Sequence, residues 1–139
     1  MQTIVVGVDG SEPSLRPLRL AADLTEQINS AELIVVFARY AYVSMPEHAA
    51  EDMFEDFLNE AEREVRDRTQ RVLADRHLRW KVLVREGEPS AVLCDVAAET
   101  GATFVVAGRR GSSTVRELLL GSVSNRLVHR SDCAVLLVS

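Results

Sequence analysis

The sequence is poor in several things, and each scarcity closes off a class of protein. It has two cysteines, Cys94 and Cys133. Two in a chain of 139 residues do not build a disulfide framework. Both lie in apolar stretches, which reads as buried free thiols. The three histidines, His48, His77 and His129, are scattered with no metal-ligand spacing. There is no apolar run of about 18 residues, so no segment reads as a membrane span. Met1-Gln2-Thr3 leads straight into an apolar run, without a basic region or cleavable apolar stretch ahead of it, and the expectation is a cytoplasmic protein. Lysine is nearly absent: Lys81 stands alone among the basic residues, the rest being arginine. Positive charge is outnumbered, with a formal net charge of −5, which disfavours nucleic acid as a partner. No internal repeat, low-complexity tract or linker interrupts the chain, so residues 1–139 read as one domain.

What is present is a regular alternation. Thr3 to Val8 is a short, continuous, β-branched apolar run, the pattern of a strand buried on both faces. Asp9-Gly10-Ser11 breaks it. Leu15, Leu18, Ala21, Ala22, Leu24 and Ile28 then recur at helical spacing, with Ser14 the expected N-cap and Pro17 at the third helical position, where its missing N–H costs nothing. Glu32 to Ala38 is a second buried strand, followed by a loop over residues 39–46. A long polar helix is expected from Glu47 to about Asp75, with Met53, Phe54, Phe57, Leu58, Ala61, Val65 and Val72 as its apolar stripe. Its acidic first half reads as a solvated face more readily than as a metal site. Arg79 to Arg85 alternates apolar and polar residues, as a strand nearer a sheet edge does. Gly87, Glu88 and Pro89 form a turn. Ser90 is the expected cap of a helix over Ala91 to Thr100, which Gly101 ends. Thr103 to Ala107 is the fourth strand, and Ala134 to Val138 the fifth.

The order β-α-β-α-β-α-β-α-β predicts an α/β fold, a parallel sheet with helices on both faces. Ligands of such sheets sit at the carboxyl ends of the strands, where the strand order reverses. Two strand ends carry suitable residues. One is Gly7-Val8-Asp9-Gly10-Ser11. The other is Gly108-Arg109-Arg110-Gly111, running on to Gly121-Ser122-Val123-Ser124 in the spacing G-x2-G-x9-G-S. Glycines let backbone N–H groups approach an anion and permit turns with positive φ. The helix expected from Ser122 offers unpaired N–H groups and the positive end of its dipole. The hydroxyls of Ser122 and Ser124 add hydrogen bonds, and Arg109 and Arg110 add charge. Residues 101–139 carry five basic and two acidic groups, against 11 and 19 in residues 1–100, so the basic excess falls on this segment. The plainer alternative makes Gly108 and Gly111 ordinary turn residues, Gly121-Ser122 a helix cap, and Asp9 a turn or capping carboxylate. If the two strands are neighbours, Asp9 faces the same crevice as the glycine segment, placed to accept from ribose hydroxyls while the loop holds phosphates.

With these residues the chain resembles the universal stress protein family over essentially its whole length. The resemblance rests on Ile4-Val5-Val6-Gly7-Val8-Asp9-Gly10-Ser11, on Gly108, Gly111, Gly121 and Ser122 at their spacing, and on the closing apolar strand. It implies a single-domain, Rossmann-like five-stranded parallel sheet of order 3-2-1-4-5 and the branch of the family that binds ATP, with or without Mg2+. It implies adenosine contacts at Gly7, Val8 and Asp9, with Asp9 on the ribose, and an adenine-edge contact at Ala38, less certainly Phe37. Phosphate contacts fall on Gly108, Gly111, Gly121, Ser122 and Ser124, with Ala107 and Val123 lining the site. The chain departs from the family at Phe37-Ala38, where histidine and valine are common, at Ala134 in place of a proline, and in the basic Arg109-Arg110.

The function implied is a nucleotide-dependent regulatory or interaction module in stress response, a homodimer joined through the apolar edge strand Val135-Leu136-Leu137-Val138 and acting on further protein partners. A nucleotide-free dimeric interaction module of the same fold is the alternative. An enzyme is a third reading, but no nucleophile–base pair is visible. Slow ATP hydrolysis or self-phosphorylation on Ser122 or Ser124 is the most it would support. A phosphorylation receiver is excluded, because the third strand ends Val84-Arg85-Glu86 without an aspartate and no lysine follows the fifth. A flavin fold would place its phosphate loop after the first strand.

Overall fold

The computed structural model describes residues 1–40, 51–109 and 121–139. Five strands form one parallel sheet: β1 (Gln2–Val8), β2 (Ala31–Arg39), β3 (Arg79–Glu86), β4 (Phe104–Gly108) and β5 (Ala134–Val138). Among the described residues, the α-helices between them are α1 (Leu15–Gln27), α2 (Glu51–Leu73), α3 (Pro89–Thr100) and α4 (Ser122–Arg130). The strand order is β3-β2-β1-β4-β5, as the resemblance implied, with β3 and β5 at the edges. No helix among the described residues is long and apolar enough to cross a membrane. The expected helix start at Glu47 lies outside the described residues.

The continuous apolar strands are continuous because both of their faces are covered. Along β1, Ile4, Val6 and Val8 join Leu15, Leu18, Ala21 and Ala22 of α1 and Val65 of α2 in one core. Val5 points the other way, into a second core with Val92, Leu93 and Val96 of α3 and Leu127 of α4. Ile4, Val5 and Val6 are fully buried. Each such side chain contributes about 1.5–3 kcal/mol through removal from water. Gly7 belongs to this second face. A Cβ there would come within 2.9 Å of Leu93 Cδ1, so glycine at this position lets α3 lie close on the sheet.

Cys94 and Cys133 are free, as expected, but half-buried at the border of the second core rather than enclosed in it.

Two helix starts depart from expectation. Ser14 does precede α1, but its backbone is already helical and its hydroxyl donates to the Ser11 carbonyl (2.8 Å) instead of capping. A 3-10 turn, Glu12–Ser14, leads into the helix in its place. Pro17 takes the third helical position as read. Ser90 is not the cap of α3. That role belongs to Glu88, whose carboxylate accepts from the N–H groups of Ser90 and Ala91, both at 3.1 Å, and from the Ser90 hydroxyl at 2.5 Å. Pro89 then occupies the first helical position, where its fixed φ suits the helix and its absent N–H is not missed. Gly101 ends α3 in the left-handed conformation (φ 61°), as expected.

Burial pushes the Glu88 carboxyl upward, but the Ser90 hydroxyl, the two N–H groups and Arg126 outweigh it, and the net shift is downward. A depressed folded-state pKa stabilises above the unfolded value of about 4.3 and is lost as pH falls through the folded value. Glu88→Ala is therefore expected to cost about 1 kcal/mol at pH 7, the usual loss for a helix cap. Urea denaturation of both proteins between pH 7 and pH 2.5 checks it: the gap should close in acid, and a gap independent of pH would remove the carboxylate from the cap.

Candidate functional site

β1 pairs with β2 on one side and β4 on the other. α1 covers one face of the sheet and α3 with α4 the other. The strand order therefore reverses between β1 and β4, and sheets of this kind bind ligands beyond the carboxyl ends of such a strand pair. The register Val6↔Val106, carried on along both strands, brings Asp9 level with Arg109. The two strand ends that the sequence singled out are thus neighbours.

At the β1 end, Asp9 makes a tight turn with Ser11. Its Oδ1 accepts from the Ser11 N–H (2.9 Å) and, at short range, from the Ser11 hydroxyl. Gly10 has φ +85°, a conformation that other residues rarely adopt, and it lies against α2, where a Cβ would sit 3.4 Å from Val65. Among the described residues no group donates to Asp9 Oδ2. The carboxylate is thus both a turn acceptor and, through its second oxygen, a group with lone pairs to offer.

At the β4 end, the backbone of Arg109 joins three elements. Its N–H donates to the Val138 carbonyl at the end of β5 (2.7 Å). Its carbonyl accepts from the Gly121 N–H (3.0 Å) and the Ser124 hydroxyl (2.6 Å). Gly121 takes the N-cap position of α4 without a side chain to cap it, and the first turn of α4 contains no acidic residue. The N–H groups that open a helix have no partner within it. The neighbouring α3 differs: Glu88 already fills its N-terminus. Arg126, on α4, lies 3.5 Å from Glu88 and forms an ion pair between the two helices. Among the described residues, a carboxylate caps the N-terminus of α3 and none caps that of α4.

The expected site residues divide by location. Gly7 packs under α3, Val8 is buried toward α1 and α2, and Ala107 is buried toward α3 and α4, so these three form the floor and its support. Phe37 is buried on the α1/α2 face, whereas Ala38 is half-buried on the opposite face with Val36. The alternation of the strand therefore puts Ala38, not Phe37, on the side of α3 and α4. Asp9, Gly108, Arg109, Gly121 and Val123 are half-buried or close to it, and Ser122 is exposed. Ser124 is 1% exposed. Arg110 and Gly111 lie outside the described residues. Neither Gly108 nor Gly121 has positive φ, and Gly121, at φ −63° and ψ 162°, has a backbone open to any residue. The turn argument for these two glycines fails.

Sequence reasoning missed Glu88 and Arg126. The signal was Pro89: a proline at the first helical position places the cap one residue earlier. It also missed Gly10 as the positive-φ glycine of the site, although Asp-Gly is a turn pair.

The family model described as the universal stress protein family matches residues 1–139. A universal stress protein from Thermus aquaticus, encoded in a sulfhydrylase 3′ region, is 32% identical over 138 residues, covering 99% of this chain and 98% of that one. Among solved structures, a universal stress protein, UspA, from Lactobacillus plantarum superposes with a TM-score of 0.81 at 19% identity, over 99% and 97% of the two chains. A universal stress protein solved in complex with cAMP superposes with a TM-score of 0.70 at 30% identity, over 99% and 95%. The fold, the whole-length family match and the full-length relatives agree: this chain belongs to the universal stress protein family.

Proposed function

We propose that the chain is an ATP-binding member of its family and works in stress response as a nucleotide-dependent regulatory and interaction module. The observation that carries this reading is the adjacency of two complementary half-sites across the β1/β4 crevice. Asp9 Oδ2 is an acceptor suited to ribose hydroxyls, and the α4 N-terminus is a donor set suited to phosphates. The relative in complex with cAMP supports the adenine class of ligand. In this reading Ala38 and Val8 adjoin the adenosine, and Gly108, Gly111, Gly121 and Ser122 take the phosphates with Val123 beneath. Arg109 and Arg110 offset the repulsion between a polyanion and a chain of net charge −5. Mg2+, where present, would arrive with the phosphates. No residue is assigned to catalysis.

The dimer belongs to the same proposal. β5 is an edge strand of Ala134, Val135, Leu136, Leu137 and Val138, and Leu136 is exposed. An apolar edge with unpaired backbone groups favours pairing with its own copy.

Asp9→Asn tests the nucleotide reading. The amide keeps an acceptor for Ser11 but replaces Oδ2 with donors, which cannot accept from ribose hydroxyls. Charged hydrogen bonds contribute about 1.5–3 kcal/mol, so ATP affinity should fall about tenfold or more while inorganic triphosphate affinity changes little. Calorimetry showing equal losses for both ligands would move Asp9 from the ribose to the loop. If unaltered protein takes up no ATP at millimolar concentration, the nucleotide-free module stands instead.

Light scattering tests the dimer. The protein should be dimeric at micromolar concentration, and Leu136→Lys should shift it to monomer, since an edge lysine opposes strand pairing. A monomeric parent protein would count against the interface.

A further inference from the structure

Ser124 occupies the third position of α4, where the resemblance places a phosphate contact, yet its side chain is buried and its proton is already committed. A hydroxyl has one proton to donate. In Ser124 that proton goes to the Arg109 carbonyl at 2.6 Å, with the Gly121 carbonyl at 3.2 Å as a weaker second acceptor. An ionised phosphate oxygen is itself an acceptor, so the hydroxyl cannot serve it without giving up Arg109.

The acceptor is what makes this bond matter. The Arg109 carbonyl also accepts from the Gly121 N–H (3.0 Å), and both of its lone pairs are thereby used. The Arg109 N–H donates to Val138 (2.7 Å), which fixes this peptide to β5. The Gly121 carbonyl accepts from the Asn125 N–H (2.9 Å), the first hydrogen bond of α4. Arg109 and Gly121 are the two ends of the segment spanning residues 110–120. Ser124 thus reaches back from the first turn of α4 and fastens both ends of that segment to the sheet. The cap residue is a glycine without a side chain, and the hydroxyl three residues on performs the fastening from inside the helix.

We propose that Ser124 is a positioning residue: it clasps the Arg109 and Gly121 ends of the glycine segment, and so sets the aim of the Ser122 and Val123 N–H groups, without itself donating to phosphate. The inference rests on the nucleotide reading for its consequence on binding, but the clasp exists in the ligand-free protein and is testable there.

The test is amide hydrogen exchange at Gly121 by NMR in nucleotide-free protein, joined to calorimetry with ATP and with adenosine. In Ser124→Ala, Gly121 exchange should rise by roughly fivefold or more, the scale of one lost hydrogen bond. ATP affinity should fall by a similar factor, with adenosine affinity within about twofold of the parent, because only the phosphates meet the N–H groups that the clasp aims. Ser124→Thr, which keeps the hydroxyl, should restore both. If Ser124→Ala fails to fold, Ser124→Cys, which fills the space with a weaker donor, is read in the same way. Unchanged Gly121 exchange overturns the clasp, and unchanged exchange with a loss of ATP makes Ser124 a direct phosphate ligand. If the parent protein takes up no ATP, the nucleotide reading fails, while the exchange at Gly121 still decides the role of Ser124.

Discussion

β1 hydrogen-bonds to β2 on one edge and to β4 on the other, and the chain leaves these neighbours over opposite faces of the sheet. That arrangement requires β1 to be apolar on both sides. Ile4, Val5 and Val6 meet the requirement completely, and Gly7 meets it by admitting Leu93 of α3. The strand then has to end, and what ends it is the Asp9–Ser11 turn. Because the connections diverge, the helices that follow β1 and β4 lie on opposite faces of the sheet. The crevice follows from strand order, and the chemistry of the crevice follows from the residues at two strand ends.

Electrostatics decide which part of the crevice suits an anion. α3 and α4 both begin at the carboxyl end of the sheet and lie on one face of it. Glu88 supplies α3 with a carboxylate whose ionised form is favoured by its N–H and hydroxyl donors. Among the described residues the first turn of α4 has no carboxylate, and its cap is a glycine. A phosphate brought to this face meets repulsion at one helix and donors at the other. Arg126 lies between them, 3.5 Å from Glu88, and keeps the carboxylate from acting unopposed on the neighbouring site. Two carboxylates of α2 are paired within the protein: Arg39, its side chain 9% exposed, bonds to Glu55 and Glu62 at 3.0 Å each.

Much of this was legible in the sequence. Four apolar runs were read as strands because apolar, largely β-branched residues continue without polar interruption, the third strand was read as nearer an edge from its alternation, and the fifth was placed at the edge by the order that the family resemblance implied. Asp9 and the Gly108 to Ser124 spacing were visible as polar, close-approach residues directly behind buried strands. What escaped was whatever depends on a partner distant in sequence. Ser90 has the residue type of a helix cap, but the carboxylate of Glu88 reaches two N–H groups from one residue before the proline. Ser124 has the residue type of a phosphate ligand, and only the placement of β4 against α4 brings the Arg109 carbonyl within 2.6 Å of it. Gly121 was read with the phosphate-binding glycines, with a helix boundary at Gly121-Ser122 as the plainer alternative; in the structure Gly121 is the N-cap of α4, and its φ of −63° makes no demand for glycine. Composition names the kinds of bond available; the register of β1 against β4 selects which are made.

The central claim is that one ligand spans the ends of β1 and β4. A titration of ATP into isotopically labelled protein, followed by amide chemical shifts, addresses it directly. The account expects changes at Val8 to Gly10, at Gly108 and Arg109, and at Gly121 to Ser124, all saturating at one ATP concentration. Met1, His77 and Arg79, at the opposite end of the sheet, should stay still. Shifts confined to one of the two strand ends, or centred on the opposite end, would contradict it.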